Sequence, residues 1–541
     1  MDDLQSTDNM PPDDDADPAA RHPGSQPGEN AALPEPPGPG AVSTGRSDGD
    51  DVPFGADAGP AGSDTAPDTG QTAPGGWAAP DGGSASGGQA TPGRQAPPGR
   101  RATPDGNAAP GGQAMPSGNV APGAPATPAR AGTGWALVLL GVVILVVVAL
   151  ATPWRVMPPG TPTVPPDPAR DFSAGEIARA AAFDAATSVP GYLSLGLTVL
   201  FAGLLVLTPF GAKVLGGLRG PWWVRVVLGV TVLTAIVEAV RWPLGVWFEV
   251  VLRDYGLSTQ DWAGWTGDRL KGLAVGVVLQ SIMVLVVVAL ARKVRRWWIP
   301  AAVGAFALTL LASFVYPVVF EPLFNDFRPM PQGALRVNLM TLAERAHVPV
   351  GDVLIADASR RTNALNAYVS GFGATRRIVV YDTLLRAPQS EVELVVAHEL
   401  GHAKYGDVLV GTLMGGLGAA FGVILLFLLL GVVRRRTGIV SAADPRAVGV
   451  IMGLLSLATV IVGPAQNLIS RHIEARADLH ALNLTKDPGT FLSMQKRLAI
   501  TNISDLSPDP VEYALYASHP SGPERIAMAR EWAALNGQPQ P

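Results

Sequence analysis

The most specific chemical signal in this 541-residue chain is Val395-Val396-Ala397-His398-Glu399-Leu400-Gly401-His402. A spacing of four puts His398 and His402 one turn apart on one helical face, where two imidazoles can chelate a single zinc ion. Glu399 stands beside them, where a carboxylate can take a proton from water. The chain has only seven histidines, so chance is a poor explanation of the pattern. A hydrolytic zinc site needs a third protein ligand and an open position. With no cysteine in the sequence, thiolate ligands, Fe–S clusters, disulfides and thiol nucleophiles are excluded. GxSxG is absent, so a serine hydrolase has no support. His22, His347, His472, His480 and His519 include no second close pair, and the best alternative for a third ligand is a carboxylate. Glu474, within Arg471-His472-Ile473-Glu474-Ala475-Arg476-Ala477-Asp478, is the candidate. Asp478, one turn further on, can accept a hydrogen bond from the non-ligating nitrogen of a zinc-bound histidine.

Two unlike materials surround these residues. Residues 1–130 hold 17 acidic and 6 basic residues with 23 Pro and 23 Gly, a composition that cannot bury a core and is expected to be a disordered tail. A loose ten-residue repeat in it suits a flexible tether, and its acidic start lacks a signal-peptide pattern. Beyond it, hydropathy changes abruptly. Seven apolar stretches are each long enough to cross a hydrocarbon core of about 30 Å. They run Trp135–Thr152, Leu193–Phe210, Pro221–Val240, Gly272–Ala291, Trp297–Phe320, Val408–Val433 and Val448–Leu468. Trp222, Trp223, Trp242, Trp247, Trp297 and Trp298 cluster at their proposed ends, as interfacial aromatics do. The fold class expected is therefore an all-α polytopic membrane protein with about seven transmembrane helices, plus a small α+β zinc-peptidase domain and the disordered tail.

The domain plan follows from these boundaries. A tail at 1–130 precedes spans one to five at 131–320. A soluble part at 321–407 ends with the HELGH segment, spans six and seven fill 408–470, and a C-terminal part at 471–541 carries the third ligand. Within 321–407, Gly333–Ala346 reads as a helix, Val353–Ala356 as a strand and Asn366–Tyr381 as a hairpin turning at Gly371-Phe372-Gly373. Each soluble part is too small to bury much core alone, so the two are expected to pack together on one membrane face. Topology agrees. HELGH ends six residues before span six and Glu474 lies six residues after span seven. Consecutive spans run antiparallel, so both emerge on the same face, about 9 Å from the core boundary at 1.5 Å per residue.

HELGH before a membrane span, a second span, and then ExxxD at Glu474 to Asp478 resembles the integral-membrane zinc metallopeptidases of the type I CaaX prenyl endopeptidase family. Asn366-Ala367-Tyr368 before a Gly-containing hairpin, Ser518-His519-Pro520 with Glu524-Arg525, and Pro322-Leu323-Phe324-Asn325 after the fifth span resemble further segments of that family. The resemblance covers about residues 135–535 and leaves out the tail. It implies a helical chamber in the membrane capped by the metal-bearing domain. In that domain His398, His402 and Glu474 hold one Zn2+ per chain, Glu399 is general base, His519 donates to the developing oxyanion, and Asn366, Ala367 and Tyr368 bind substrate as an added strand. Nothing in the sequence specifies a prenyl pocket.

The partners expected are a peptide or membrane-protein substrate and the lipid bilayer. No nucleic-acid partner is expected, and the partner of the tail is unknown. The location expected is the cell membrane, as a multi-pass protein. Lys213 and Arg219, Arg292-Lys293-Arg295-Arg296, and Arg434-Arg435-Arg436 fall on alternate loops, which by the positive-inside rule places those loops and the tail in the cytoplasm and the zinc domain outside. The family resemblance implies the opposite side for the zinc domain. Three other readings stay open: a heat-shock-type metalloprotease of membrane-protein quality control, an intramembrane-cleaving metalloprotease, and a non-enzymatic polytopic protein whose HELGH is incidental. Against the second, HELGH precedes its span and no Asp occurs inside the seventh.

Overall fold

The computed structural model describes residues 128–323 and 325–541. The expected disordered tail falls almost wholly outside these residues, as does Phe324. Among the described residues, seven helices are long and apolar enough to cross a membrane. They are α1 (Pro128–Ala151), α3 (Ala174–Leu207), α5 (Trp222–Asp254), α6 (Trp262–Lys293), α7 (Trp298–Val315, extended by a π-turn over Tyr316–Phe320), α10 (Asp407–Thr437) and α11 (Val448–Thr485), with short helices α2 (Pro168–Asp171) and α4 (Phe210–Gly216) between them. In lipid each backbone N–H must find its partner within its own segment, which is why uncharged stretches of this length fold as helices.

All of these spanning helices but α7 are longer than the apolar stretches. α3 starts nineteen residues before Leu193, behind a Ser173–Glu176 capping box. α11 has 38 residues, about 57 Å at 1.5 Å per residue, so it overshoots a 30 Å core by several turns. Hydropathy marks only the part of a helix that lies in hydrocarbon, whereas hydrogen bonding carries the helix on into water. Glu474 and Asp478 thus sit on the same unbroken helix as the seventh span. Small residues let these helices approach: a Cβ at Gly453 of α11 would fall 2.8 Å from Val206 Cγ2 of α3. The bundle core is built from Leu205, Val230, Leu233, Val284, Leu430 and Ile451.

Outside the bundle lie α8 (Ala334–Arg345), α9 (Gln389–Tyr405), α12 (Pro488–Thr501), α13 (Pro510–Tyr516) and α14 (Gly522–Leu535), with strands β1 (Phe327–Pro329), β2 (Asp352–Ala356), β3 (Ala367–Ser370) and β4 (Arg377–Tyr381). The sheet order is β1-β2-β4-β3, with β2 and β4 parallel and the outer pairs antiparallel. β3 is therefore an edge. The expected helix, strand and hairpin of this region are all present; β1, three residues long, was not expected from the sequence. One core joins the two soluble parts, with Leu339, Val396 and Leu400 from the first against Leu482, Phe491 and Trp532 from the second.

The segment between the first two spans straps the same domain. Val164 N–H donates to Glu531 (2.9 Å), Asp171 forms a buried bidentate pair with Arg530, and Phe172 packs with Ala499, Leu506 and Ile526. This domain therefore lies at the membrane face where α1 ends and α3 begins.

Candidate metal centre

Helix α9 carries His398, Glu399 and His402 and ends at Gly406, whose positive φ of 68° lets its N–H cap the His402 carbonyl. Opposite it runs the extension of α11. The approach depends on Gly401, between the two histidines. A Cβ there would fall 3.1 Å from Ala477 Cα and 3.2 Å from His480 Cβ, so a larger residue would push α11 away. The result is a cluster of three donor atoms. His398 Nε2 lies 3.2 Å from His402 Nε2 and 3.1 Å from Glu474 Oε2, and His402 Nε2 lies 3.5 Å from Glu474 Oε1.

These separations fit a metal ion. Four ligands at 2.0–2.1 Å in a tetrahedron stand about 3.3–3.4 Å apart, the range seen here. The hydrogen bonds agree. His398 Nδ1 faces Asp478 Oδ1 at 2.8 Å and His402 Nδ1 faces Asp407 Oδ2 at 2.9 Å. Each Nδ1 donating its hydrogen leaves Nε2 a bare lone pair, and both point at each other and at a carboxylate. Acceptors converge in this way around a cation. Burial opposes a charge on either ring, yet the surrounding carboxylates still draw both imidazoles toward the cationic form, the mark of a cradle with surplus negative charge.

Around the three, Asp478 is fully buried and also accepts from Arg525 of α14, through Nε (2.7 Å) and a second nitrogen (2.5 Å). His519 Nε2 lies 3.4 Å from Glu474 Oε2, and its Nδ1 is 2.9 Å from Ser518 Oγ. Glu399 is half-buried on α9, and burial pushes its carboxyl above the usual range against the pull of the two imidazoles. Asn366, Ala367 and Tyr368 do not join the cluster. Asn366 directly precedes β3 and Ala367 and Tyr368 begin it; the strand packs on α9, and the Ala367 and Tyr368 side chains are buried in the domain core. Asn366 turns its Oδ1 back to the Ala367 N–H (2.9 Å).

Three participants were missed by reading the sequence: Asp407, Arg476, which pairs with it, and the contact of Arg525 with Asp478. The only available signal for Asp407 was a carboxylate five residues after His402, and five is not a same-face spacing on a helix.

Seven spanning helices and a carboxylate–histidine cradle on a water-facing α+β domain define a polytopic membrane metallopeptidase. Residues 329–533 match peptidase family M48, and residues 164–326 match the CAAX prenyl protease N-terminal region, described as five membrane helices. Helix α1 precedes that second match. Similar chains include the uncharacterized metalloprotease YhfN of Bacillus subtilis, 32% identical over 309 residues, covering 56% of this chain and 72% of that protein. The CAAX prenyl protease 1 homolog of Oryza sativa is 32% identical over 295 residues (52% and 67%), and CAAX prenyl protease 1 of Saccharomyces cerevisiae 27% over 321 residues (54% and 69%). The crystal structure of S. mikatae Ste24p superposes with a TM-score of 0.55 at 20% identity, over 75% of this chain and all of that one, so the fold is shared. The chain belongs to peptidase family M48. It is a multi-pass membrane metalloendopeptidase, and a peptide is its substrate.

Proposed function

We propose that His398, His402 and Glu474 bind one zinc ion and that Glu399 is the general base of peptide hydrolysis. The observation that carries this reading is the convergence of three acceptor atoms at 3.1–3.5 Å, with both imidazole Nδ1 atoms occupied by carboxylates. Zinc bound there supplies Lewis acidity to the scissile carbonyl and to water. Glu399, on the same helical turn, takes the proton and returns it to the leaving amine. Asp478 holds His398 in the tautomer that leaves Nε2 free, and Arg525 holds Asp478. Ser518 Oγ, donating to His519 Nδ1, leaves the hydrogen on Nε2, which donates to the oxyanion beside Glu474.

Substrate binds along β3. Tyr381 N–H donates to the Asn366 carbonyl at 3.1 Å, so Asn366, Tyr368 and Ser370 pair with β4, and by alternation Val369 turns its N–H and C=O to the open edge and Ala367 its C=O, the Ala367 N–H being held by Asn366 Oδ1. An extended peptide added there gains main-chain hydrogen bonds with little side-chain selectivity. The relatives named as CAAX prenyl proteases support a lipid-modified cysteine near the substrate's C-terminus, its chain sheltered among the membrane helices. In domain terms, residues 131–320 and 408–470 form that shelter, while 321–407 and 471–541 supply the peptidase.

The experiment is a matched pair. Purified, zinc-loaded protein is given one peptide with a prenylated cysteine and its unmodified twin. Faster cleavage of the prenylated peptide is expected. Equal cleavage would replace this substrate reading with general turnover of membrane proteins, and cleavage of neither would refute the peptidase roles.

A further inference from the structure

Asp407 belongs to neither HELGH nor ExxxD. It is the first residue of α10, directly after Gly406. On an unbroken helix, residues five apart stand about 140° round the axis from each other, so Asp407 would face away from His402. The left-handed Gly406 breaks the helix and brings Asp407 back under it. Asp407 Oδ2 lies 2.9 Å from His402 Nδ1, and its other oxygen pairs with the Arg476 guanidinium. Arg476 lies on α11, two residues from Glu474, with its guanidinium 4.5 Å from the Tyr405 ring centroid.

We propose that Asp407 is a positioning residue for His402 and that Arg476 acts on the metal site through Asp407. The inference rests on the metal-binding roles given above. By accepting the Nδ1 hydrogen, the carboxylate fixes ring and tautomer and strengthens the Nε2 donor. Its Arg476 pair keeps it from swinging to solvent. Asp478 does for His398 what Asp407 does for His402, with Arg525 and Arg476 in matching places. Asp407 begins the sixth membrane helix and Arg476 extends the seventh, so the relative placement of those two helices sets the orientation of a metal ligand.

The test is zinc affinity, measured by chelator competition on the full chain in lipid nanodiscs. Asp407→Ala is expected to weaken zinc by roughly 10- to 100-fold. Asp407→Asn retains an acceptor without charge and should recover part of the loss, which a purely structural role would not separate from Ala. Arg476→Ala should weaken zinc less than Asp407→Ala, and Asp407→Ala/Arg476→Ala should bind no more weakly than Asp407→Ala alone, since Arg476 has nothing left to act through. Wild-type zinc affinity in both Asp407 variants would overturn the proposal. Full additivity in the double variant would overturn the part assigned to Arg476. His402→Ala is the control: unchanged zinc there would refute the metal ligands themselves, a result distinct from failure at Asp407. Should Asp407→Ala not fold, the Asn variant carries the comparison.

Discussion

Replacing Val369 by proline tests substrate binding at the β3 edge. Val369 pairs opposite Ile378, in a position whose N–H points away from β4. Proline there removes one outward donor and fixes φ near −65° without deleting a β3–β4 hydrogen bond, which is where an edge strand tolerates it. One net main-chain hydrogen bond is worth about 0.5–1.5 kcal/mol. Peptide affinity should therefore fall by about 2- to 13-fold. Zinc affinity should stay unchanged, because none of His398, His402 or Glu474 lies on β3. The measurement is fluorescence anisotropy of a labelled extended peptide on zinc-loaded Glu399→Gln protein, with and without Val369→Pro. Val369→Ala is the control, since it trims a side chain packed on the domain core but keeps the N–H. Undiminished binding by the proline variant, or an equal loss in the alanine variant, would refute strand addition.

Glu399→Gln should keep zinc while losing about 10²- to 10⁴-fold in peptidase rate, as measured on the purified protein; a fully active Gln variant would remove Glu399 as base. Glu474→Ala should lower zinc occupancy, read by metal analysis after dialysis, and full occupancy would require another third ligand. Asp478→Ala should weaken zinc by roughly 10- to 100-fold and also destabilise the domain, because Arg525 loses its buried partner. Adding Arg525→Met should restore thermal stability but not zinc affinity, and recovery of both would show that Asp478 acts only on the fold. A reporter active only in the cytoplasm, fused after Pro541, should stay silent if the basic loops face the cytoplasm, since the peptidase domain lies at the opposite face. Activity there would reverse the orientation read from charge.

The features legible in the sequence are those that local physics dictates. His398 and His402 meet because a helix repeats every 3.6 residues, and no other part of the chain is needed to bring them together. The seven spans follow from uncharged length against membrane thickness. Glu474 is reachable because antiparallel spans return the chain to the same face, a rule of topology. Other features depend on neighbours far along the chain. β1 has only three residues and exists because β2 offers it partners. Gly401 looks like one more glycine until α11 lies against it, with no room for a Cβ. Asp407 stands at the wrong helical angle to serve His402 until Gly406 turns the backbone, and Arg476 and Arg525 reach their carboxylates from 69 and 47 residues away. Charges attract across space without regard to sequence distance, and sequence patterns record only spacing along the chain. The pairing of the two histidines was therefore determined locally and the place of Glu474 by span topology, whereas the groups that orient the histidines were decided by how α9, α10, α11 and α14 pack.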